Sequence, residues 1–411
     1  MIELVTSPLE AIELEEKFGA HNYSPLPVVL CRGEGVFLWD LEGKRYFDFL
    51  SAYSAINQGH CHPRLIQKLI SQAKELTLTS RAFYNDKLGI AEKYLCETFN
   101  YQKALLMNSG AEANETAIKL ARKWGYTKKN IPVNSAEIIV VRGNFHGRTT
   151  GVISASVDPK SIEGFGPLMP GFKVIEYDNE EELENEIHNP NVCGVWIEPI
   201  QGEAGIYVPK DGYLKRVETL CHQYNVLLMM DEIQTGLGRT GKMLASDYEN
   251  VRPDILILGK ALSGGVLPVS CVLADDMIML VIKPGEHGST FGGNPLAATI
   301  CMEAIQIIID ERLIDNAFHL GKMFRERMNS LKKKSEFISN VRGKGLLNAL
   351  TISETPGSKT ANDLCVSLAK NGLLCKPTHG NIVRMAPPLV ITEEQMDECC
   401  SIIERCVLEL S

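Results

Sequence analysis

The chain is predicted to be an α/β protein, with a mainly parallel sheet covered on both faces and a smaller α+β domain after it. Three observations predict this. First, short, continuous apolar runs recur through the middle of the chain: "EIIVV" (137–141), "FKVIEY" (172–177), "CGVWIEPI" (193–200), "NVLLMMDEI" (225–233), "DILILG" (254–259) and "VSCVLA" (269–274). Strands buried on both faces need such runs, whereas a half-exposed strand would alternate apolar with polar. Second, helical periods lie between them, as in "GYLKRVETLCHQY" (212–224), which is the alternation of a parallel sheet with its crossovers. Third, the texture changes after about residue 300. There "CMEAIQIIIDERLIDNAFHLGKMFRERMNSLKKK" reads as one long helix, and "GLLNAL", "GLLCKP" and "NIVRMAPPL" read as short strands between turns. Near the start, "GVFLWDLEGKRYFDFL" reads as a hairpin. The predicted division is an N-terminal segment, 1–50, joining the smaller domain; a large domain, 51–299; and the smaller C-terminal domain, 300–411.

Bulk properties exclude several classes. With 411 residues, 45% of them hydrophobic, the chain is long enough for a large core. A net charge of −9 argues against a nucleic-acid surface. No apolar run is long enough to span a bilayer, so no membrane is expected. The 12 cysteines are scattered and none forms a CxxC pair. That argues against a metal site and points to reduced thiols in an intracellular protein. The N-terminal stretch "MIELVTSPLEAIELEEKFGAHNY" is acidic. It lacks the basic-then-apolar order of a signal peptide and the Arg-rich character of a mitochondrial presequence. A cytoplasmic location is expected, or the mitochondrial matrix if a presequence has been removed.

Parallel sheets bind ligands at the carboxyl ends of their strands. The residues found there are Lys260 after 254–259; Asp231, Glu232 and Gln234 after 225–230; Glu198, Gln201 and Glu203 after 193–197; and Phe145, His146 and Arg148 after 137–141. "GLGRTG" (236–241) matches a dinucleotide fingerprint, but no strand runs directly into it and no apolar helix follows. It is expected to shape a loop past the sheet edge. A better phosphate site is "MNSGAEANETAIKLARKWGY" (107–126). Ser109 and Glu112 have capping-box spacing, and Gly110 and Ala111 leave backbone N–H groups open at a helix start. Taken alone, that stretch is simply a capped helix. With a lysine and an aspartate at neighbouring strand ends, it completes the parts that a pyridoxal phosphate site needs. Lys260 would join the aldehyde, Asp231 would face the ring nitrogen, and Gly110 and Ala111 would hold the phosphate. The simpler alternatives are a snorkelling surface lysine and a solvated loop acid.

"NSGAEANETAIKLAR", "FHGRT", "EPIQGEAG", "DEIQTGLGRTG", "LGKALSGG" and "GSTFGGNPLA" occur in the order and spacing of one family. On these motifs, which span nearly the whole chain, the sequence resembles the class III pyridoxal-phosphate aminotransferases of fold type I, whose large domain is built on a sheet of the seven-stranded type. "GAHNYSPLPVVL", "SAYSAINQGHCHP", "DYENVRPDILILGKALSGG" and "HGNIVRMAPPLVI" are similar to the branch that uses ornithine and 2-oxoglutarate. The resemblance implies roles residue by residue. Lys260 is the cofactor lysine and proton carrier, and Asp231 is the partner of the ring nitrogen. Gln234 sits beside the phenolic oxygen, and Phe145 stacks on the ring. Ser109, Gly110, Ala111 and Glu198 complete the cofactor contacts. Thr290 is implied to reach the phosphate from the other subunit of a homodimer with shared sites. On the substrate side, Arg148 is implied to grip the α-carboxylate of ornithine, with Tyr23 and Tyr53 as pocket walls. Glu203 and Arg384 form a pair that opens when a dicarboxylate arrives. Acetylornithine and 4-aminobutyrate aminotransferases share "FHGRT" and the lysine motif, so those motifs do not discriminate; Tyr53 helps, since acetylornithine relatives tend to carry small or aliphatic residues at that place. An aminomutase, needing no 2-oxoglutarate, would have less use for the Glu203–Arg384 pair, and the intact set of Lys260, Asp231, Gln234 and Arg148 argues against a non-catalytic relative.

Overall fold

The computed structural model describes residues 5–353 and 359–410. Its centre is a seven-stranded sheet. In spatial order the strands are Lys103–Met107, Ser270–Ala274, Ile255–Leu258, Leu227–Asp231, Val192–Ile197, Glu137–Val141 and Phe172–Ile175. All run parallel except Ser270–Ala274, which is antiparallel to both neighbours. The six apolar runs are all strands. The seventh, "KALLM", was not anticipated, because it is squeezed between a helix (Leu88–Phe99) and the capped helix Gly110–Thr127.

The strands are apolar throughout because both faces are covered. Ile138 and Val140 pack with Ala117, Leu120, Ala121 and Trp124 of Gly110–Thr127. Ile139 and Val141 point the other way, into the cluster that also holds Leu214, Val217 and Leu220 of Tyr213–Gln223. Successive residues therefore serve opposite layers, as the two-residue period of a strand requires.

Two smaller sheets complete the molecule. The expected hairpin forms, with Phe37–Asp40 antiparallel to Arg45–Asp48. It is flanked by Leu30–Glu34 on one side and by Leu373–Leu374, in parallel, on the other. The second sheet is antiparallel, in the order Ile338–Lys344, Leu347–Ile352, Ile382–Met385 and Lys376–Thr378.

Two expectations are corrected. The long helix after residue 300 is in fact two helices, Pro295–Asp310 and Leu313–Lys332, with Arg312 at φ +53° between them. One straight helix over that span would reach about 57 Å at 1.5 Å per residue. The break lets Ile300, Ile307 and Ile308 share one core with Leu313, Ala317 and Leu320. Nor does "GLGRTG" lie past the sheet edge. Arg239 within it is fully buried and donates to Asn57 Oδ1 and to the carbonyls of Leu346 and Pro387. Burial pulls its pKa down to about 9, and these carbonyl and amide oxygens take the place of water. Among the described residues no helix is long and apolar enough to cross a membrane.

Candidate active site

Four neighbouring parallel strands end at one place, and residues far apart in sequence meet there. Lys260, Asp231, Glu198 and Phe145 line a cavity of about 200 Å³ with Gly110 and Ala111 at the start of the capped helix. Gln234 and Glu203 also reach it. Ser109 caps the helix as expected. Its side chain accepts from Glu112 N, and the Glu112 carboxylate accepts from Ser109 N at 2.7 Å.

Lys260 follows the Ile255–Leu258 strand and sits at φ +44°, a strained conformation for a residue with a side chain. It is partly buried, and the cavity is its open side. Burial pulls its pKa from 10.5 down to about 8, against the attraction of Asp231 and Glu203. Among the described residues no hydrogen bond or ion pair engages its amine. Glu198 is moved the other way. Burial, reinforced by the charge of Asp231, raises it to about 8, although Phe145 N and Gly202 N donate to its oxygens.

Asp231 is 4% exposed and accepts three hydrogen bonds. Asn114 Nδ2 and His146 Nδ1 reach Oδ2 at 2.9 and 2.7 Å, and Ile233 N reaches Oδ1 at 3.0 Å. A carboxylate only accepts, so Nδ1 is the protonated nitrogen of that imidazole. The ring is held flat on Trp196, centroid to centroid 3.8 Å, with 17° between planes. Sequence reasoning noted His146 without giving it a role, and missed Asn114 and Trp196. Asn114 carried a legible signal: it lies four residues after Gly110, so the two share a helix face. Trp196 carried none, because a tryptophan inside a buried strand reads as core.

The cavity opens into a cleft of about 680 Å³ that shares Phe145, Glu203 and Lys260 with it and adds Tyr23, Tyr53 and Arg148. Arg148 Nη1 donates to Ser161 Oγ at 2.7 Å, and its guanidinium lies 5.1 Å from the Phe145 ring centroid. Arg384 Nη1 meets Glu203 Oε2 at 2.7 Å. The arginine side chain is 6% exposed and the glutamate 32%, so the pair is sheltered on the arginine's side. Buried Arg384 Nε has no hydrogen-bond partner among the described residues. Tyr53 lies 4.7 Å from the Arg384 guanidinium, in a left-handed turn where Ser51, Ala52, Tyr53 and Ser54 all have positive φ. Asp48 fastens this turn by accepting from Leu50 N and Ser51 N, both at 2.8 Å, and Ser51 Oγ donates to Ala386 O. Gln234 Nε2 donates to Tyr53 O at 3.3 Å. Gly202 leaves room for that amide, since a Cβ there would lie 1.5 Å from Gln234 Oε1. Of the predicted residues, Thr290 alone stands apart. It is exposed, on a loop that does not line the cavity. Tyr23 is only loosely placed in the cleft, at 73% exposure.

Comparison with known proteins shows the family. The family described as Aminotransferase class-III matches residues 18–407. The chain belongs to the class III aminotransferases, and its architecture is that of fold type I. It is 59% identical over 396 residues to the mitochondrial ornithine aminotransferase of Drosophila melanogaster, covering 96% of this chain and 91% of that one. The solved ornithine aminotransferase of Toxoplasma gondii superposes with a TM-score of 0.97 at 46% identity, over 98% of this chain and 95% of that one. An acetylornithine aminotransferase from Elizabethkingia anophelis gives 0.90 at 54% identity, over 98% of this chain and 100% of that one.

Proposed function

We propose that the chain is a pyridoxal-phosphate-dependent transaminase that moves the δ-amine of L-ornithine to 2-oxoglutarate, yielding glutamate 5-semialdehyde and glutamate. The residues present fit the cofactor. A lysine with a lowered pKa and no internal partner borders a cavity whose far wall is a capped helix start, where backbone N–H groups welcome a phosphate. When bound, pyridoxal phosphate supplies an aldehyde that exchanges between amines and a ring that withdraws electrons from the amine-bearing carbon. Lys260 would hold it, with Gly110 and Ala111 at the phosphate, Phe145 against the ring, Gln234 beside the phenolic oxygen and Asp231 at the ring nitrogen. Glu198, protonated up to about pH 8, adds little negative charge beside Asp231 at neutral pH. Lys260 Nζ moves the proton, and an amine with a pKa near 8 can both take and return one at neutral pH.

One observation carries the choice of substrate: a single cleft holds two arginines in different states. Arg148 makes one hydrogen bond, to Ser161, and can still present its fork to a carboxylate. Arg384 is neutralised by Glu203. Ornithine anchored by its α-carboxylate on Arg148 offers its distal amine to Lys260, while the closed pair gives that amine a neutral wall. 2-Oxoglutarate needs a second cation beside its keto carbon, and Arg384 supplies it when the pair opens. The two substrates therefore alternate in one site, as a ping-pong reaction requires. Tyr53, against Arg384, narrows the pocket against an acetylated amine.

The same reading makes the enzyme a homodimer with Thr290 completing the neighbour's phosphate site. The loops bearing Arg81 and Ser289 line one cleft, and Phe83, Tyr84 and Phe291 stand exposed in them, as an interface between two copies would require. Sedimentation giving a monomer would remove that part. A cytoplasmic location belongs to the reading as well, to be checked by fractionation against matrix markers. For the reaction itself, the cofactor-loaded protein is mixed with ornithine, N-acetylornithine or 4-aminobutyrate alone. Its visible absorbance should bleach fastest with ornithine. Faster bleaching by N-acetylornithine would overturn the assignment.

A further inference from the structure

Glu203 lies on a short loop, and what holds that loop is not part of either pair of reacting groups. Gln201 and Tyr207 bridge its ends through backbone hydrogen bonds at 3.0 Å in both directions. Its tip is held from outside. Arg342, on the Ile338–Lys344 strand, donates from Nη2 and Nε to Gly205 O at 2.6 and 2.9 Å, and from Nε to Ile206 O at 3.1 Å. Nη1 is fixed by Thr351 Oγ1 at 2.6 Å, and the guanidinium lies 4.6 Å from the Tyr207 ring centroid. Gly205 adopts φ +123°, and a Cβ there would come within 2.6 Å of Ile382 Cδ1 and 3.2 Å of Arg342 Nη2. The loop is thus pressed against the small sheet at its tip.

The register of that sheet gives the contact its meaning. Arg342 pairs with Ala349, and Ala349 pairs with Arg384. Directly paired residues project from the same face, so two arginines stand in one cross-strand row. They are two strands apart, roughly 9–10 Å, with only a methyl group between them. One takes the loop's carbonyls and the other its carboxylate. The carbonyl contacts do not depend on whether Arg384 is engaged.

We propose that Arg342 is a positioning residue for substrate alternation. It anchors the Glu203 loop to the small sheet, so that Glu203 stays within reach of Arg384 when the pair opens and closes on it again afterwards. The proposal rests on the switch reading above. Without the anchor, Glu203 drifts and Arg384 stands open to α-carboxylates in both half-reactions.

The test measures the ornithine and glutamate half-reactions separately, by single-turnover absorbance of the cofactor-loaded protein. Arg342→Ala should lower the ratio of kcat/KM for ornithine to that for glutamate on the order of tenfold. Glu203→Ala should lower it at least as far, and the double variant should match Glu203→Ala alone, because both changes remove one interaction. Arg342→Lys, which cannot fork across two carbonyls, should fall between wild type and Arg342→Ala. It carries the test if the alanine variant does not fold. In cofactor-free protein, amide exchange at Gly205–Tyr207 should quicken in Arg342→Ala while the Leu227–Asp231 strand stays protected. If Glu203→Ala shifts the ratio and the Arg342 variants do not, this inference fails and the switch stands. If the two losses multiply in the double variant, Arg342 acts by another route and the inference also fails. If Glu203→Ala leaves the ratio unchanged, the switch reading itself falls and takes the anchor with it.

Discussion

The large parallel sheet and the small antiparallel one both contribute charged groups to the same cleft, but they hold them in different ways. On the large sheet the groups stand at or just past the carboxyl ends of their strands, and Asp231 among them is fastened by hydrogen bonds. Asp231 is held by Ile233 N two residues on and by Asn114 and His146 from adjacent elements. On the small sheet, Arg384 is mid-strand, 6% exposed, and its carboxylate partner arrives on a loop from the large sheet. The first arrangement fixes Asp231 through three hydrogen bonds, which suits a cofactor ring held in one orientation. In the second, the small sheet meets the loop through the Glu203–Arg384 ion pair and through Arg342 at the carbonyls of Gly205 and Ile206, and on the proposed function the ion pair is the part that opens. On the proposed function this contrast is a division of labour: the cofactor chemistry on the parallel sheet, the choice of substrate at the contact between sheets.

The largest effect should come from the cofactor side. Lys260→Ala should lower turnover by about 10⁴-fold or more, since it removes both the attachment point and the proton carrier. It should also leave the purified protein without its visible band, read by steady-state assay and absorbance. A variant that kept substantial turnover would end the comparison. Next comes the substrate anchor. Arg148→Ala should weaken kcat/KM for ornithine about 100-fold, the worth of a charge-assisted fork to a carboxylate. Its effect on glutamate, which the proposed function assigns to Arg384, should be smaller. Equal losses for both would show that the two arginines are not divided between substrates.

Stability tests sharpen the comparison. In cofactor-free protein Lys260 has a folded pKa of about 8 against 10.5 for an ordinary lysine. Between those values the unfolded chain binds the extra proton, so the site opposes folding below pH 8 and ceases to do so as pH rises toward 10.5. Lys260→Met should therefore stabilise the cofactor-free protein by up to about 3 kcal/mol at neutral pH, with the gain fading above pH 8 in denaturant titrations. A gain independent of pH would mean that the amine is not desolvated. The smallest effect expected is for Ser109→Ala, about 1 kcal/mol for loss of the cap on the Gly110 helix, seen as a lower melting temperature.

The cofactor side was largely legible in the sequence. Lys260, Asp231, Glu198 and Phe145 each follow an apolar run, and strand-end position is a local property that a linear reading can find. The capping box at Ser109 and Glu112 is local too. What escaped was set by neighbours in space. Asn114 and His146 matter because they donate to Asp231; helix spacing puts Asn114 on the face of Gly110, but it does not name the acceptor. "GLGRTG" reads as a loop past the sheet edge because no strand runs directly into it and no apolar helix follows. Burial of Arg239 depends on acceptors at Asn57, Leu346 and Pro387, distant in sequence. Arg342 could not have been singled out, because its partners are backbone carbonyls, which every residue carries.

The sequence by itself determined the layered α/β plan, the strand ends and the identity of the groups offered there. Apolar periodicity and capping act over a few residues, and a single chain displays them openly. Tertiary structure alone decided which of those groups touch. It brought Glu203 to Arg384, laid Tyr53 against the same guanidinium through a left-handed turn, and set Arg342 in register with Arg384 across Ala349. Ion pairs and cross-strand rows depend on the distances between segments far apart in sequence, as Glu203 and Arg384 are, and packing of the whole chain is what sets those distances.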